Sequence, residues 1–412
     1  MQKAFALEIV QKLVDEGYEA LWAGGCVRDK LMGNTPHDYD VATSATPDQV
    51  RELFGRKRTL AIGASFGVIV VLPEKRSVGQ VEVATFRCDA NYSDGRRPDS
   101  VTFSTAEQDA QRRDFTINGM FYDPIKQEVV DYVGGQEDLK LGIVRAIGDP
   151  VQRIAEDKLR MLRAIRFCAR FGFQLDPNTS ASVTENSKSI NVVSGERIAQ
   201  ELRKTLATQR PGWALDELHR SGLLNGILPM FADVWDASGP VVKRMLAGCQ
   251  SAAWLDRFTA VCWAVVGAEL EKQAELLSCL REQLKFANEE LDAIRFALLS
   301  QPMLDEATQR PWSATQPIVI HPHIRRAESL LQCRASIGET TKRNVQWLNE
   351  KGRLPIDQLD PDPILTGADL IEAELSPGPR FKELLSEVRA LQLDGQLADR
   401  ESALEWLAKN AV

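Results

Sequence analysis

The residues of this sequence that could do chemistry begin with two aspartates, Asp38 and Asp40, set either side of Tyr39. In an extended segment residues two apart point to the same side, so the two carboxylates form a pair. Upstream, the short apolar run 21–23 meets Gly24 and Gly25, and a helix is expected from Cys26 to Met32. Glycines admit a ligand close to the backbone, and a helix start offers unpaired N–H groups and a positive dipole end to phosphate. Gly24, Gly25 and Arg28 therefore read as a polyphosphate cradle. Paired carboxylates facing such a cradle suggest Mg²⁺, which is commonly held by one or two carboxylates together with substrate phosphates.

GGCVRDKLMG followed by DYDVAT resembles the signature of the class II tRNA nucleotidyltransferases and bacterial poly(A) polymerases, within the DNA polymerase β superfamily. The resemblance implies an α+β protein: a nucleotidyltransferase head with a small mixed β-sheet, then an all-α neck, body and tail. It implies that Glu82, in QVEVATFR, is the third acidic ligand, so that Asp38, Asp40 and Glu82 are catalytic and hold two Mg²⁺ ions. Read from the strand alone, Glu82 points away from Val81 and Val83, toward solvent or toward a site.

The resemblance runs through YSDGRRP, similar to a flexible loop of the family, into QRRDFTINGMFYDP. There Arg112, Arg113, Asp114 and Asn118 are expected to begin a helix, and the family's equivalent motif contacts the nucleotide's sugar and phosphates. EDKLR matches the family's nucleotide-selecting EDxxR motif at Glu156, Asp157 and Arg160, with Arg163 and Arg166 on its additional arginines. SGERIAQELRKTL resembles a further family helix opening at Ser194, whose Arg197, Arg203 and Lys204 would lie near the RNA 3′ end. These motifs cover roughly residues 20–230.

Residues 153–173 read as one helix on which Asp157 and Arg160 share a face, Arg163 adjoins it and Arg166 is nearly opposite. Charges all round such a helix require a pocket or partner, or ion pairing at i, i+3. Within the family reading, Asp157 accepts from the exocyclic amine of cytosine or adenine while Arg160 donates to the adjoining ring atom. Uracil and guanine present a carbonyl there, leaving two acceptors opposed.

The elements that must position these groups follow from pattern. Residues 2–16 form an amphipathic helix with Phe5, Ile9, Val10 and Leu13 on one side. Thr46 and Pro47 start another helix. GVIVVL and QVEVATFR read as an antiparallel pair, and residues 88–103, rich in turn formers, as a mobile loop. Asp149-Pro150 closes the sheet-containing part. We therefore expect a catalytic head over residues 1–150, a nucleotide-selecting, RNA-binding neck over 151–230, and a helical, tRNA-binding body and tail over 231–412, with the proline-rich stretch 355–367 as a linker.

The net charge of −8 looks unsuited to nucleic acid, but residues 355–412 hold 12 acidic against 5 basic residues. The acidity is in the tail, and basic clusters remain elsewhere to bind phosphate. Seven cysteines without paired or metal-site spacing fit reduced thiols in a cytoplasm. No run is long and apolar enough to span a membrane. His321 and His323 lack the aspartate of a His-Asp metal pair, so no phosphohydrolase activity is expected.

The sequence thus points to a template-free nucleotidyltransferase that moves a nucleoside monophosphate from ATP or CTP to the 3′ end of RNA, with tRNA lacking CCA as the preferred substrate. A poly(A) polymerase, an enzyme adding only CC or only A, and a silent RNA-binding protein on the same fold are the alternatives. Intact carboxylates argue against the last.

Overall fold

A computed structural model describes residues 1–90 and 100–410. The chain divides into two compact units, Met1–Ala232 and Asp233–Val412.

The first unit is built on a mixed sheet. Helix α1 (Gln2–Asp15) is followed by β1 (Ala20–Ala23), α2 (Gly25–Leu31), β2 (Asp40–Thr43) and α3 (Pro47–Phe54). Strands β3 (Thr59–Gly63), β4 (Val68–Val71) and β5 (Val81–Thr85) come next. After the ribbon of β6 (Arg87–Ala90) and β7 (Ser100–Phe103) lie α4 (Ala106–Gln111), β8 (Phe121–Asp123) and β9 (Glu128–Val130). Among the described residues the main sheet runs β3-β4-β5-β2-β1-β8-β9. Its central pair, β2 and β5, is parallel, with Val41 opposite Val83, and β4 pairs antiparallel with β5.

Period-two alternation sorts the two faces. Val41, Val81 and Val83 point toward α1, whose Phe5, Ile9, Val10 and Leu13 are buried with them. Ala42 points to the other face, where Phe86, Phe121 and Ala106 and Ala110 of α4 pack. Asp40 and Glu82 each precede the Val41–Val83 pair by one residue, so they lie on the α4 side. The strand pairing thus puts the acids of two separate segments on one face. Thr46 caps α3 in a full capping box with Gln49.

Two expectations about the ribbon region are corrected. Residues 88–103 are not wholly a loop: Arg87 to Ala90 pair antiparallel with Phe103 to Ser100, while 91–99, on which the expected mobility falls, lie outside the described residues. Arg112 to Asn118 do not begin a helix. Arg112 caps the end of α4, Asp114 follows it, and only Thr116–Asn118 form a 3-10 turn. The helix precedes the motif because Thr105 caps it early, accepting from the Gln108 N–H.

The rest of the first unit is largely helical: α5 (Gly135–Leu141), β10 (Ile143–Val144), α6 (Pro150–Glu156), α7 (Leu159–Phe171), β11 (Gln174–Leu175), α8 (Pro177–Asn186), α9 (Gly195–Leu206) and α10 (Pro211–Arg220). Phe115 and Ile117 insert among Val144, Ala164, Phe167 and Cys168, so the arginine-aspartate motif is seated on α7. The second unit is helical throughout its described residues. Trp254 and Phe286 meet edge to face at 5.8 Å, and His321 stacks on Phe296 at 3.7 Å. The stretch 355–367 is not a free linker. It holds a helical turn, Ile356–Leu359, Asp360 pairs with Arg389 at 2.7 Å, and Leu365 is buried with Leu370 and Leu384.

Gly135 abuts the segment that carries the site. A Cβ there would lie 2.3 Å from the Thr116 carbonyl oxygen and 2.7 Å from Met120 Cγ, and the Thr116 N–H is tied to the Arg145 carbonyl. Gly135→Ala should destabilise the protein by about 1–3 kcal/mol through overpacking, read as a lower midpoint of thermal unfolding.

Candidate active site

The acidic cluster is assembled by the sheet. Asp40 opens β2, Glu82 sits in β5, and Asp38 stands two residues before β2 rather than within it. Asp40 keeps part of its side chain open to solvent at the strand end, but desolvation of its carboxyl by the surrounding protein, then the neighbouring Glu82 and Asp38, push it up to about 6 against an opposing pull from Arg113. Such mutual repulsion is what a divalent cation relieves, and the oxygen donors suit hard Mg²⁺. The three carboxylates do not close into a finished cage, and no group of three or more His, Cys, Asp or Glu poised for a metal occurs among the described residues. Oxygens from substrate phosphates would have to complete the coordination.

Beside them is a cavity of about 480 Å³, lined by Gly24, Gly25, Arg28, Arg113, Asp114, Asn118, Asp157, Arg160, Arg163 and Arg166, with Arg112, Phe167 and Arg170. All ten of the nucleotide-binding residues expected from sequence therefore share one concavity. Gly24 caps α2 at φ +68° and ψ −127°, a conformation that needs glycine. Arg28 is buried, 5.5 Å from the Phe167 ring and 4.6 Å from that of Phe171. Its Nε and Nη2 donate to Asp29 Oδ1 at 2.9 and 2.7 Å, and its Nη1 to Asn118 Oδ1 at 2.5 Å.

Asn118 Nδ2 in turn donates to Asp114 Oδ1 at 3.0 Å, and Arg163 donates through Nε to Asp114 Oδ2 at 2.9 Å. Burial pushes the Asp114 carboxyl up, but Arg163 and Asn118 outweigh it and bring it down to about 2. One chain of bonds therefore joins α2, the 3-10 turn and α7.

Asp157 and Arg160, the pair expected to read the base, are placed differently from expectation. The helix of residues 153–173 is broken: α6 stops at Glu156, Asp157 is extended at φ −147°, and α7 begins at Leu159. Asp157 and Arg160 are therefore not on one helix face. They meet at the cavity because the break turns Asp157 back toward α9, where its Oδ2 accepts from Arg197 Nη2 at 2.8 Å, while its Oδ1 accepts from the Leu159 N–H at 3.1 Å. Arg160 donates to Glu156 and to the carbonyls of Arg153 and Arg112, the last at 3.3 Å. Nor is Arg166 remote from Asp157; it lines the same cavity, buried against Glu201 at 2.5 Å.

Sequence reasoning did not single out Phe167 or Asp109. Phe167 hides in an apolar stripe that reads as core. Asp109 had one usable signal, its position three and four residues before Arg112 and Arg113 on a helix. A second polar cavity, about 730 Å³, shares Arg166 and Arg170 with the first and is lined also by His37, Phe171 and Lys204. A cavity of about 780 Å³ in the second unit is lined by Phe381, Leu385 and Val388 without any acid, which sets it apart from this chemistry.

Comparisons with known proteins agree along the chain. Residues 20–145 match the family described as "Poly A polymerase head domain", residues 172–234 that described as "Probable RNA and SrmB- binding site of polymerase A", and residues 258–408 that described as "tRNA nucleotidyltransferase domain 2 putative". The chain is 31% identical over 402 residues to the CCA-adding enzyme of Levilactobacillus brevis, covering 97% of this chain and 96% of that one. It is 32% identical over 413 residues to the CCA-adding enzyme of Geobacillus stearothermophilus, covering 98% and 96%. Among solved structures, the Bacillus stearothermophilus CCA-adding enzyme in complex with CTP superposes with a TM-score of 0.78 at 28% identity, covering 100% of this chain and 98% of that one.

The Asp114 linkage has a pH signature. A carboxyl depressed in the folded state contributes stability above its unfolded pKa, near the usual 3.8, and loses it as pH falls toward about 2. Asp114→Asn should be less stable than wild type by about 2 kcal/mol at pH 7. The difference should shrink between pH 4 and pH 2, as chemical denaturation across pH would show.

Proposed function

The chain belongs to the family of CCA-adding enzymes, and from that membership we propose that it is a CTP/ATP:tRNA nucleotidyltransferase that rebuilds the 3′-terminal CCA of tRNA. The observation that supports this reading is the single cavity that the glycine turn with Arg28 shares with Asp157 and Arg160, whose Arg113 also acts on Asp40 of the neighbouring carboxylate cluster.

In this reading Asp38, Asp40 and Glu82 hold two Mg²⁺ ions. Bound Mg²⁺ lowers the pKa of the attacking hydroxyl and neutralises charge on the triphosphate. Gly24, Gly25, Arg28 and Arg113 hold the triphosphate, and Asp114 and Asn118 orient the sugar side. The RNA 3′-oxygen bonds to the α-phosphorus, the bond from that phosphorus to the β-phosphate bridge breaks, and pyrophosphate leaves. The RNA strand approaches through the neighbouring cavity, where Arg170 and Lys204 meet its phosphates and Phe171 offers a stacking face.

Selection needs no template because the protein supplies the pairing edge. Asp157 keeps acceptor capacity beyond its bonds to Arg197 and Leu159, so it takes the exocyclic amine of cytosine or adenine. A uracil or guanine carbonyl at that place opposes acceptor to acceptor, a mismatch of about 1–3 kcal/mol. No helix among the described residues is long and apolar enough to cross a membrane, in keeping with a cytoplasmic enzyme acting on tRNA.

Purified protein with Mg²⁺ and tRNAs ending before CCA, after C and after CC tests the reading. Three added nucleotides requiring both CTP and ATP are expected. A long tail from ATP alone would instead make the protein a poly(A) polymerase, and binding without extension would make it a silent RNA-binding protein. Asp40→Ala should abolish extension while tRNA affinity is retained. Asp157→Ala should reduce discrimination against UTP and GTP by about 10-fold to 100-fold, measured as ratios of kcat/KM.

A further inference from the structure

Asp109 is 1% exposed, faces the cavity's arginines from α4 and belongs to none of the roles above. Its two oxygens divide two arginines between them. Oδ1 accepts from Arg112 Nε at 3.0 Å, Arg112 Nη2 at 2.7 Å and the Arg87 N–H at 3.3 Å. Oδ2 accepts from Arg113 Nε at 3.1 Å and Nη2 at 2.9 Å. Burial pushes the carboxyl up, but Arg113 and Arg112 outweigh it and hold it below the usual carboxylate range, so it is charged.

With Nε and Nη2 engaged, Arg113 has one direction left. Its Nη1 donates to the Asn118 carbonyl at 3.3 Å and lies 3.3 Å from where a Cβ on Gly24 would stand, while the guanidinium covers the Phe121 ring at 4.7 Å. The guanidinium is thereby aimed at the glycine turn. Arg112 works in the other direction. Its Nε also donates to the Arg87 carbonyl at 3.1 Å, and its own carbonyl accepts from Arg160 Nη2. The start of the β6–β7 ribbon is thus gripped at both backbone groups of Arg87.

We propose that Asp109 is a positioning residue that presents Arg113 to the triphosphate and fixes the base of the β6–β7 ribbon to the nucleotide cavity. The proposal rests on the nucleotide reading of that cavity. The physical reason is preorganisation. A free arginine carries about 2 kcal/mol of rotamer entropy, and a buried carboxylate oxygen that takes two N–H groups of the same guanidinium removes that loss from the binding step. An amide cannot replace it, because its NH₂ would face a guanidinium donor.

Binding of inorganic tripolyphosphate with Mg²⁺, measured by calorimetry, reads this without the base or the RNA. Asp109→Asn should bind it about 10-fold more weakly than wild type, with KM for CTP and ATP raised in parallel and kcat within about threefold. Unchanged tripolyphosphate affinity, or a loss of kcat and thermal stability with KM unchanged, would overturn the proposal. If the amide variant does not fold, Asp109→Glu keeps the charge but displaces the fork by a methylene. It should weaken tripolyphosphate binding several-fold, and wild-type affinity in that variant would also overturn the proposal. Wild-type protein that binds no tripolyphosphate would overturn the nucleotide reading of the cavity and the proposal with it, whereas normal wild-type binding with unaffected variants overturns the role of Asp109 alone.

Discussion

Repulsion among arginines is the constraint that organises the site. Arg28, Arg112, Arg113, Arg160, Arg163, Arg166 and Arg170 all line one cavity of about 480 Å³. Seven like charges so close would scatter if each depended on solvent for its screening. Each instead has an acid of its own or a shared one: Asp29 for Arg28 and Arg170, Asp109 for Arg112 and Arg113, Glu156 for Arg160, Asp114 for Arg163 and Glu201 for Arg166. Most of these acids stand outside the lining and take one edge of a guanidinium, so the lining itself keeps a clear excess of arginines over carboxylates. This explains how a chain of net charge −8 can offer a polyanion site. It also stiffens the site, since Arg28, Arg112, Arg113 and Arg163 each give two N–H groups to one carboxylate, which removes side-chain freedom before any ligand arrives.

The arrangement depends on where the acids come from. Asp29 is on α2, Asp109 on α4, Asp114 between α4 and the 3-10 turn, Glu156 at the end of α6 and Glu201 on α9. The sheet-borne and helix-borne parts of the first unit are therefore knit through ion pairs at the cavity wall, while Phe115, Ile117 and Phe167 supply the apolar seam beneath. Buried pairs of this kind add little net stability, because desolvation offsets attraction. Their contribution is geometric, and removing one partner strands the other in a poorly solvated place.

Much of this was legible in the sequence, and the reason is local. A glycine pair before a helix and a threonine-proline helix start are signals confined to a few residues; local pattern located α1, α3, the β4–β5 pair and a strand at Asp40, though not Asp38 within it, and ten of the residues named from motifs line one cavity. What sequence reasoning missed lay where tertiary contacts override local preference. Residues 153–173 have helical spacing throughout, yet the chain breaks at Asp157, whose carboxylate caps the Leu159 N–H and pairs with Arg197, forty residues away in sequence. Helix periodicity cannot reveal that. Likewise, Arg112 and Arg113 follow a helix rather than begin one, because Thr105 caps α4 several residues upstream and Arg112 is its C-terminal cap. The stretch 355–367 has a linker's composition, but Asp360 and Leu365 find partners in later helices.

The break at Asp157 has a consequence for selection. On one continuous helix, Asp157 and Arg160 would be fixed to each other by the backbone and could move only together. Across the break they are held by different partners, Asp157 by Arg197 of α9 and Arg160 by Glu156 and the Arg112 carbonyl. Adenine and cytosine both carry an amine beside a ring acceptor, but they differ in size, so a reader of both must keep its acceptor in place while its donor adjusts. Asp157 takes its anchor from α9, while Arg160 takes its anchors from Glu156 and from the Arg153 and Arg112 carbonyls, so the two are held independently of each other. The Arg112 carbonyl that holds Arg160 belongs to the residue Asp109 fixes, so Arg160, the donor in the proposed base reading, and Arg113, proposed to meet the triphosphate, are both tied to the same buried carboxylate.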